Sequence, residues 1–153
     1  MTYSIDKNEV DAALFEFLRS IYLFERRESS MFGVTWDEVY LLQLLIRRPG
    51  MRVSHLSQEL RIPKFAASRM LTRLQQNGLV LKESDGTDGR AVSVNITEAG
   101  REKIGAIEAY NYETVSAHFG TMPEPTLRLL LQTITELGGL LNLNAAGESG
   151  EDQ

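Results

Sequence analysis

The sequence contains no cysteine and no apolar run long enough to cross a membrane. The first absence excludes disulfides, thiolate metal sites, thiol catalysis and thiol redox sensing. The second excludes a membrane-spanning helix, which needs about 18 predominantly apolar residues. The first residues also lack the basic and apolar segments of a secretory signal. These absences together predict a cytoplasmic protein without a membrane partner.

Catalytic and metal-binding patterns are also missing. The two histidines, His55 and His118, lie far apart in the chain, and neither is part of a Glu-x-x-His pattern. No glycine-rich loop of the phosphate-binding type follows a predicted strand. We therefore predict no catalytic site, no metal site and no cofactor, and the sequence supports no class of enzyme.

The charge of the chain is distributed unevenly. The 153 residues are 42% hydrophobic and 24% charged, as in ordinary globular proteins, and the net charge is −5. Residues 47–90 nevertheless carry nine basic and four acidic side chains, a net charge of +5, which leaves −10 for the remainder. A basic segment between acidic arms is typical of a phosphate-binding module, and an ordinary solvated surface is the alternative.

Apolar spacing predicts helices in the first half of the chain. A stripe from Val10 to Phe24 indicates an amphipathic helix. Thr35 and Glu38 form a capping-box pattern at the start of a second helix that is apolar on most sides and therefore predicted to be buried. Two short helices joined by a tight turn follow, and Pro63 suits the start of the second of them.

After Gly78 the apolar period changes from 3.6 to 2 residues. One strand is predicted to begin at Leu79, and alternating apolar residues predict another over 91–96. Residues 85–90 contain two Asp and two Gly, which indicates the tip of a hairpin. A long helix towards Phe119 and a final helix over 127–141 complete the pattern, and the polar segment 144–153 is predicted to be disordered.

This order of elements predicts a winged helix-turn-helix: a mainly α fold with a small antiparallel β-hairpin as the wing. The second helix of such a motif enters the major groove of DNA. Its exposed face is predicted to carry the candidate DNA-binding residues Lys64, Phe65, Ser68, Arg69, Thr72 and Arg73. Arg90, flanked by glycine at the hairpin tip, is a candidate for a narrow minor groove. For Phe65, filling an apolar gap and contacting a thymine methyl group are equally open alternatives.

The stretch from Leu56 to Arg101 resembles the MarR family of bacterial transcription regulators. The residues that carry this resemblance are the helix 56–60, the helix and turn 68–80, and above all the wing 85–100. The family pattern in the wing is Asp-x-x-Asp-x-Arg, a strand, and then Leu or Ile-Thr-x-x-Gly. Its counterparts here are Asp85, Asp88, Arg90, Thr97 and Gly100.

The resemblance implies a homodimer that binds a pseudo-palindromic double-stranded DNA operator. Helical dimerisation regions are expected over about 6–33 and 98–143, and the DNA-binding region over about 35–97. The resemblance adds Asp88 to the candidate DNA-binding residues. The sequence departs from the family pattern at Arg61, where glycine is common, at Phe65, where Ser or Thr usually stands, and at Thr87, where Arg or Pro is frequent. A left-handed conformation at Arg61 costs about 1–2 kcal/mol.

Members of the family often bind small aromatic or lipophilic effectors between the dimer arm and the winged helix. Four aromatic residues lie in the corresponding part of this chain and are candidate ligand-binding residues: Tyr22, Phe32, Trp36 and Tyr40. The alternative for each of them is packing in the core. The alternative function for the whole chain is a winged helix that assembles with another protein instead of DNA. The basic segment favours DNA, because the cores of protein interfaces are depleted of charge.

Overall fold

The structure is a computed structural model that describes residues 4–84 and 92–141. It divides into two compact units, residues up to Glu108 and residues from Ala109 on. The elements in chain order are α1 (Lys7–Phe32), α2 (Trp36–Arg47), β1 (Met51–Arg52), α3 (Val53–Leu60), α4 (Lys64–Gln76), β2 (Val80–Ser84), β3 (Val92–Ile96), α5 (Glu98–Ser116), a short 3-10 helix (Phe119–Thr121) and α6 (Glu124–Leu141). The predicted hairpin tip at 85–90 and the predicted disorder of 144–153 lie outside the described residues.

The predicted mainly helical winged helix-turn-helix is confirmed, and its sheet has one strand more than expected. The described strands form an antiparallel sheet in the order β1-β3-β2. Val94 at its centre lies opposite Met51 on one side and Lys82 on the other. The prediction of a two-stranded wing missed β1, because a strand of two residues is too short to show an alternating pattern.

The junction between α1 and α2 is fixed by caps at both helix ends. Gly33, with φ +70°, ends α1 and donates its N–H to the Ser29 carbonyl at 2.9 Å. The predicted capping box is confirmed. The Glu38 N–H donates to Thr35 Oγ1 at 3.3 Å, and the Thr35 N–H donates to Glu38 Oε2 at 2.9 Å. These two reciprocal hydrogen bonds therefore fix the first turn of α2 to the residue that caps it.

Leucine side chains of α2 form the centre of the core in the first unit. Leu41, Leu42 and Leu45 are fully buried, which confirms the prediction of a buried helix. The other fully buried large side chains come from every remaining layer of the winged helix: Leu56, Leu71, Leu74, Val80, Val94, Ile104 and Ile107. Because burial of apolar area dominates stability, this shared core fixes the position of α4 relative to the sheet.

The strand β3 is joined to α5 at a close approach that only glycine permits. Thr97 Oγ1 donates to the Gly78 carbonyl at 2.7 Å and accepts from the Gly100 N–H at 3.0 Å. A Cβ atom on Gly100 would lie 2.4 Å from the Leu79 carbonyl oxygen and 2.6 Å from Ile96 Cγ1. The Thr-x-x-Gly pattern of the sequence is therefore a packing requirement that fixes the base of the wing.

The second unit contains the end of α5, the 3-10 helix and α6. The predicted helix towards Phe119 ends earlier, at Ser116. The Phe119 ring instead lies edge-on to Tyr112, with 6.2 Å between ring centroids. No residue of α6 is buried, and its large exposed apolar side chains are Leu129, Leu130, Leu131, Ile134, Leu140 and Leu141. Within 4–84 and 92–141, no helix is both long and apolar enough to cross a membrane.

Candidate nucleic-acid interface

The turn between α3 and α4 is tight and contains a strained residue. Arg61 adopts φ 52° and ψ 43°. This is the left-handed conformation that was predicted for the position, because glycine is common there. It is the one non-glycine residue with positive φ among those that the structure describes. The turn is closed by the Arg61 N–H, which donates to the Gln58 carbonyl, and by the Ile62 N–H, which donates to the Ser57 carbonyl at 3.0 Å. The hydrogen bonds and the core fix the angle between the two helices despite the strain.

Helix α4 separates cleanly into a buried face and an exposed face, as predicted. Ala67, Leu71 and Leu74 are fully buried. The exposed face carries Phe65, Arg69, Thr72, Arg73 and Gln76, and Lys64 is exposed in the first turn. A shallow groove of about 340 Å³ runs along this face, lined by Ser68, Arg69, Thr72, Arg73 and Gln76. Hydroxyl, amide and guanidinium groups are therefore presented together on one helical surface.

The side chains of Phe65 and Arg69 make no contact within the described chain that would give them a structural role. The Phe65 side chain is 68% exposed, so of the two alternatives for this residue the filling of an apolar gap is wrong within the described chain. Arg69 makes no hydrogen bond or ion pair with any residue that the structure describes. Arg69 can therefore place its planar set of donors on an external acceptor such as guanine or phosphate.

The wing meets α4 through a lysine that the sequence analysis did not single out. Lys82 of β2 donates to Thr72 Oγ1 at 3.4 Å, and the Thr72 hydroxyl donates to the Ser68 carbonyl at 3.0 Å. Lys82 therefore brings a positive charge to the edge of the α4 groove. The candidate residues Asp88 and Arg90 at the tip of the wing lie outside the described residues.

Arg73 is committed to contacts inside the chain. Its Nη1 donates to Glu38 Oε1 at 2.9 Å, and its Nη2 donates to the Gly33 carbonyl at 3.1 Å. Sequence reasoning could not find these contacts, because the partners lie 35 and 40 residues away and no local pattern links them. Arg73 thus differs from Arg69, although both were predicted from the same exposed face.

The four aromatic candidates for ligand binding occupy different environments. Tyr22 and Trp36 line a cleft of about 380 Å³ together with the polar residues Glu25, Arg26, Ser29, Thr35 and Asp37. Tyr40 lies edge-on to Trp36 at 5.8 Å but lines the neighbouring cleft. Phe32 packs against the hydrophobic core, in line with the alternative of core packing. The structure thus brings Tyr22 and Trp36 together at one cleft, whereas Phe32 packs against the core.

Groups of positive and of negative charge lie around this cleft. Arg26 donates to the Tyr22 hydroxyl at 2.9 Å and lies 5.6 Å from the centre of that ring. The indole Nε1 of Trp36 is buried without a hydrogen-bond partner in the described chain. Burial raises the pKa of Tyr40, and the negative charges of Glu25, Glu28 and Asp37 raise it further. The cleft therefore offers aromatic surface beside groups of both signs.

The described residues contain no group of three or more side chains suited to hold a metal ion. They do contain a complete set of winged helix-turn-helix elements: α3, the Arg61 turn, an α4 with an exposed polar face, and a sheet leading into the wing. The fold and the site together define the class of winged helix-turn-helix proteins.

Comparison with known proteins shows which family this chain resembles. Residues 32–91 match the sequence model of the MarR family. Among curated proteins, the chain is similar to the uncharacterized HTH-type transcriptional regulator YdgJ of Bacillus subtilis (strain 168). The two are 24% identical over 110 residues, which cover 72% of this chain and 67% of YdgJ.

Solved structures show the same fold over most of the chain. The MarR family transcription regulator SP03579 has a TM-score of 0.71 and 22% identity, and the match covers 93% of each chain. FabT of Streptococcus pneumoniae in complex with DNA has a TM-score of 0.69 and 18% identity, and the match covers 89% of this chain and 97% of that one. The chain thus has the fold of MarR-family transcription regulators.

Proposed function

We propose that this chain is a transcription regulator that binds double-stranded DNA in a sequence-specific manner. Helix α4 is the recognition helix, and the polar face of its exposed side enters the major groove. The proposed DNA-contacting residues are Lys64, Phe65, Ser68, Arg69 and Thr72 of α4, together with Asp88 and Arg90 of the wing. Arg73 lies beside them on α4 and donates to Glu38 and Gly33. The observation that carries this proposal is the exposed α4 face, on which Arg69 has no described intramolecular partner.

The charge of the region supports DNA over a protein partner. Residues 47–90 have a net charge of +5 in a chain of net charge −5, so the positive potential is concentrated around α3, α4 and the wing. Phe65 fits the same surface, because an exposed aromatic ring can contact the methyl group of thymine. A winged helix that assembles with another protein is the competing function, and it requires neither the basic segment nor Arg69.

We further propose that the regulator acts as a homodimer on a pseudo-palindromic operator. Apolar side chains on α1 and α6 remain exposed in the described chain, among them Val10, Phe15 and Leu18 on α1 and Leu130 and Ile134 on α6. Exposed apolar patches of this kind are unusual for a monomer and are typical of an interface. Two copies related by a two-fold axis would present two α4 helices to successive major grooves.

Small aromatic or lipophilic molecules are the proposed effectors. The support for this proposal is the cleft beside Tyr22 and Trp36, which has aromatic surface and an unpartnered indole N–H. The cleft is formed by α1 and the start of α2. Arg73 donates to Glu38 and Gly33 of the same segment. An effector that favours one arrangement of this segment would shift the population of DNA-binding conformations.

The decisive experiment for the proposed function is a titration of labelled duplex DNA followed by fluorescence anisotropy. A duplex selected from random sequence by the protein is compared with a scrambled duplex. Arg69→Ala is expected to weaken binding to the selected duplex by about 1–3 kcal/mol and to relax the preference at one base position in each half-site. Arg128→Ala is the matched control, because Arg128 is an exposed arginine on α6 that pairs with Glu124. Equal binding of both duplexes, unaffected by Arg69→Ala, would favour the protein-assembly function.

A further inference from the structure

The guanidinium group of Arg73 connects the recognition helix to the junction between α1 and α2. Nη1 lies 2.9 Å from Glu38 Oε1, and Nη2 donates to the Gly33 carbonyl at 3.1 Å. Two N–H groups of one planar guanidinium therefore reach two acceptors on the same short segment. We call this pair of contacts the Arg73 bridge.

The acceptors of the Arg73 bridge are held firmly in place. Glu38 is only 2% exposed, and its second carboxylate oxygen accepts from the Thr35 N–H at 2.9 Å. Gly33 is in the left-handed conformation that ends α1, and its N–H donates to Ser29. Because both acceptors belong to fixed helix caps, the bridge constrains where the exposed end of α4 can lie.

A role as a phosphate contact would require Arg73 to leave these partners. Its side chain is 50% exposed, so DNA could approach it, but withdrawal would leave the nearly buried Glu38 carboxylate without its counter-charge. An uncompensated buried charge is strongly unfavourable. Arg69, one turn earlier on the same helix, makes no such contact with the described residues.

We propose that Arg73 is a positioning residue: it raises DNA affinity by holding α4 against Glu38 and Gly33, and not by contacting DNA itself. This inference rests on the proposed function of α4 in DNA binding. It revises the sequence-based expectation that Arg73 belongs with Arg69 among the DNA contacts. It also assigns a functional role to Glu38, a buried acidic residue that cannot itself approach a phosphate.

The two roles of Arg73 predict opposite results for Glu38→Gln. If Arg73 positions α4, Glu38→Gln weakens DNA binding, because the amide oxygen cannot serve both Thr35 and Arg73 and carries no charge. If Arg73 binds phosphate, Glu38→Gln leaves affinity unchanged or raises it, because the competing carboxylate is gone. The substitution keeps the shape of the side chain, and Gln is an accepted partner in a capping box, so the variant should fold.

The experiment is a double-mutant cycle on DNA affinity with Arg73→Gln, Glu38→Gln and the double variant, each measured over a salt series. Each single variant is expected to weaken binding by about tenfold, and the double variant by no more than the weaker-binding single variant. The slope of log affinity against log salt is expected to stay at the wild-type value for all three variants. Loss of a phosphate contact would instead reduce the slope by about 1 for each contact.

Circular dichroism spectra are recorded at the titration temperature to establish that each variant is folded. If Arg73→Gln is unfolded, Arg73→Lys takes its place: a lysine keeps the charge for phosphate but cannot reach both Glu38 and Gly33. Wild-type affinity for Glu38→Gln, or a salt slope reduced by Arg73→Gln, would overturn the inference while the proposed function stands. Absence of DNA binding by the wild-type protein would overturn the proposed function, and the inference with it.

Discussion

The conformation of some residues in this protein could be predicted from the local sequence alone, whereas the role of others depends on their tertiary contacts. The left-handed Arg61 was predictable, because the tight turn between α3 and α4 needs one residue with positive φ. The roles of Arg69 and Arg73 were not separable in this way, since both occupy the exposed face of one helix. Only the long-range contacts of Arg73 to Glu38 and Gly33 distinguish them.

Gly100 is the position at which the structure makes its strongest prediction for a single residue. Gly100→Ala is expected to destabilise the protein by about 1–3 kcal/mol, because overpacking forces backbone and side chains apart. The new Cβ would lie 2.4 Å from the Leu79 carbonyl oxygen, which belongs to the turn and cannot move freely.

Gly105, in the same helix α5, provides the matched control. A Cβ on Gly105 would have no neighbour within 4 Å in the described residues beyond its own stretch of helix, so Gly105→Ala should stabilise the helix by about 0.5–1 kcal/mol. Chemical denaturation followed by circular dichroism measures both changes. Two variants of equal stability would show that the close approach at Gly100 is not a real constraint.

At the scale of elements, the sequence was sufficient wherever a period or a cap repeats over several residues. The α2 capping box, the buried and exposed faces of α4 and the change of period after Gly78 all predicted what the structure contains. Strand β1 could not be predicted, because its two residues gain their pairing from β3, more than 40 positions later. The packing of Phe32 against the core, and the place of Tyr22 and Trp36 at one cleft, also depend on tertiary packing that a local pattern does not encode.

The cleft between α1 and α2 supports a prediction about effectors that uses the only tryptophan in the sequence. Because Trp36 lines this cleft, its fluorescence reports directly on occupancy. Benzoate or 2-naphthol, as an aromatic acid and a lipophilic aromatic, should quench this emission along a saturable curve. Tyr22→Ala should weaken the quenching, whereas Tyr112→Ala, an aromatic outside the cleft, should not. Linear quenching that is the same in all variants would mean that neither compound occupies the site.

At the scale of the whole molecule, apolar side chains of α1 and α6 are exposed in the described part of the chain, and we propose that a second copy of the chain covers them. Light scattering is expected to give twice the chain mass of 17.2 kDa at micromolar concentration. Leu130→Glu combined with Ile134→Glu should reduce this mass towards that of one chain, because charge on a dimer interface is strongly unfavourable.

Leu81→Glu is the control for this prediction. Leu81 is also large, apolar and about half exposed, but it lies on β2 and outside the helices of the proposed arm. Its substitution should leave the measured mass unchanged. A folded wild-type monomer would contradict the proposed dimer. A dimer whose mass is unchanged by the two substitutions in α6 would show that the contact between copies lies elsewhere.

Hydroxyl-radical footprinting of the selected duplex tests whether paired α4 helices read DNA. Recognition helices related by a two-fold axis should protect two stretches whose centres lie about 10–10.5 base pairs apart. Arg69→Ala should weaken both protected stretches together, since each copy contributes the same side chain to its own half-site. We expect this symmetric double footprint on the selected duplex and none on a scrambled duplex. A single asymmetric footprint, or protection that persists unchanged in Arg69→Ala, would show that paired α4 helices do not read the DNA.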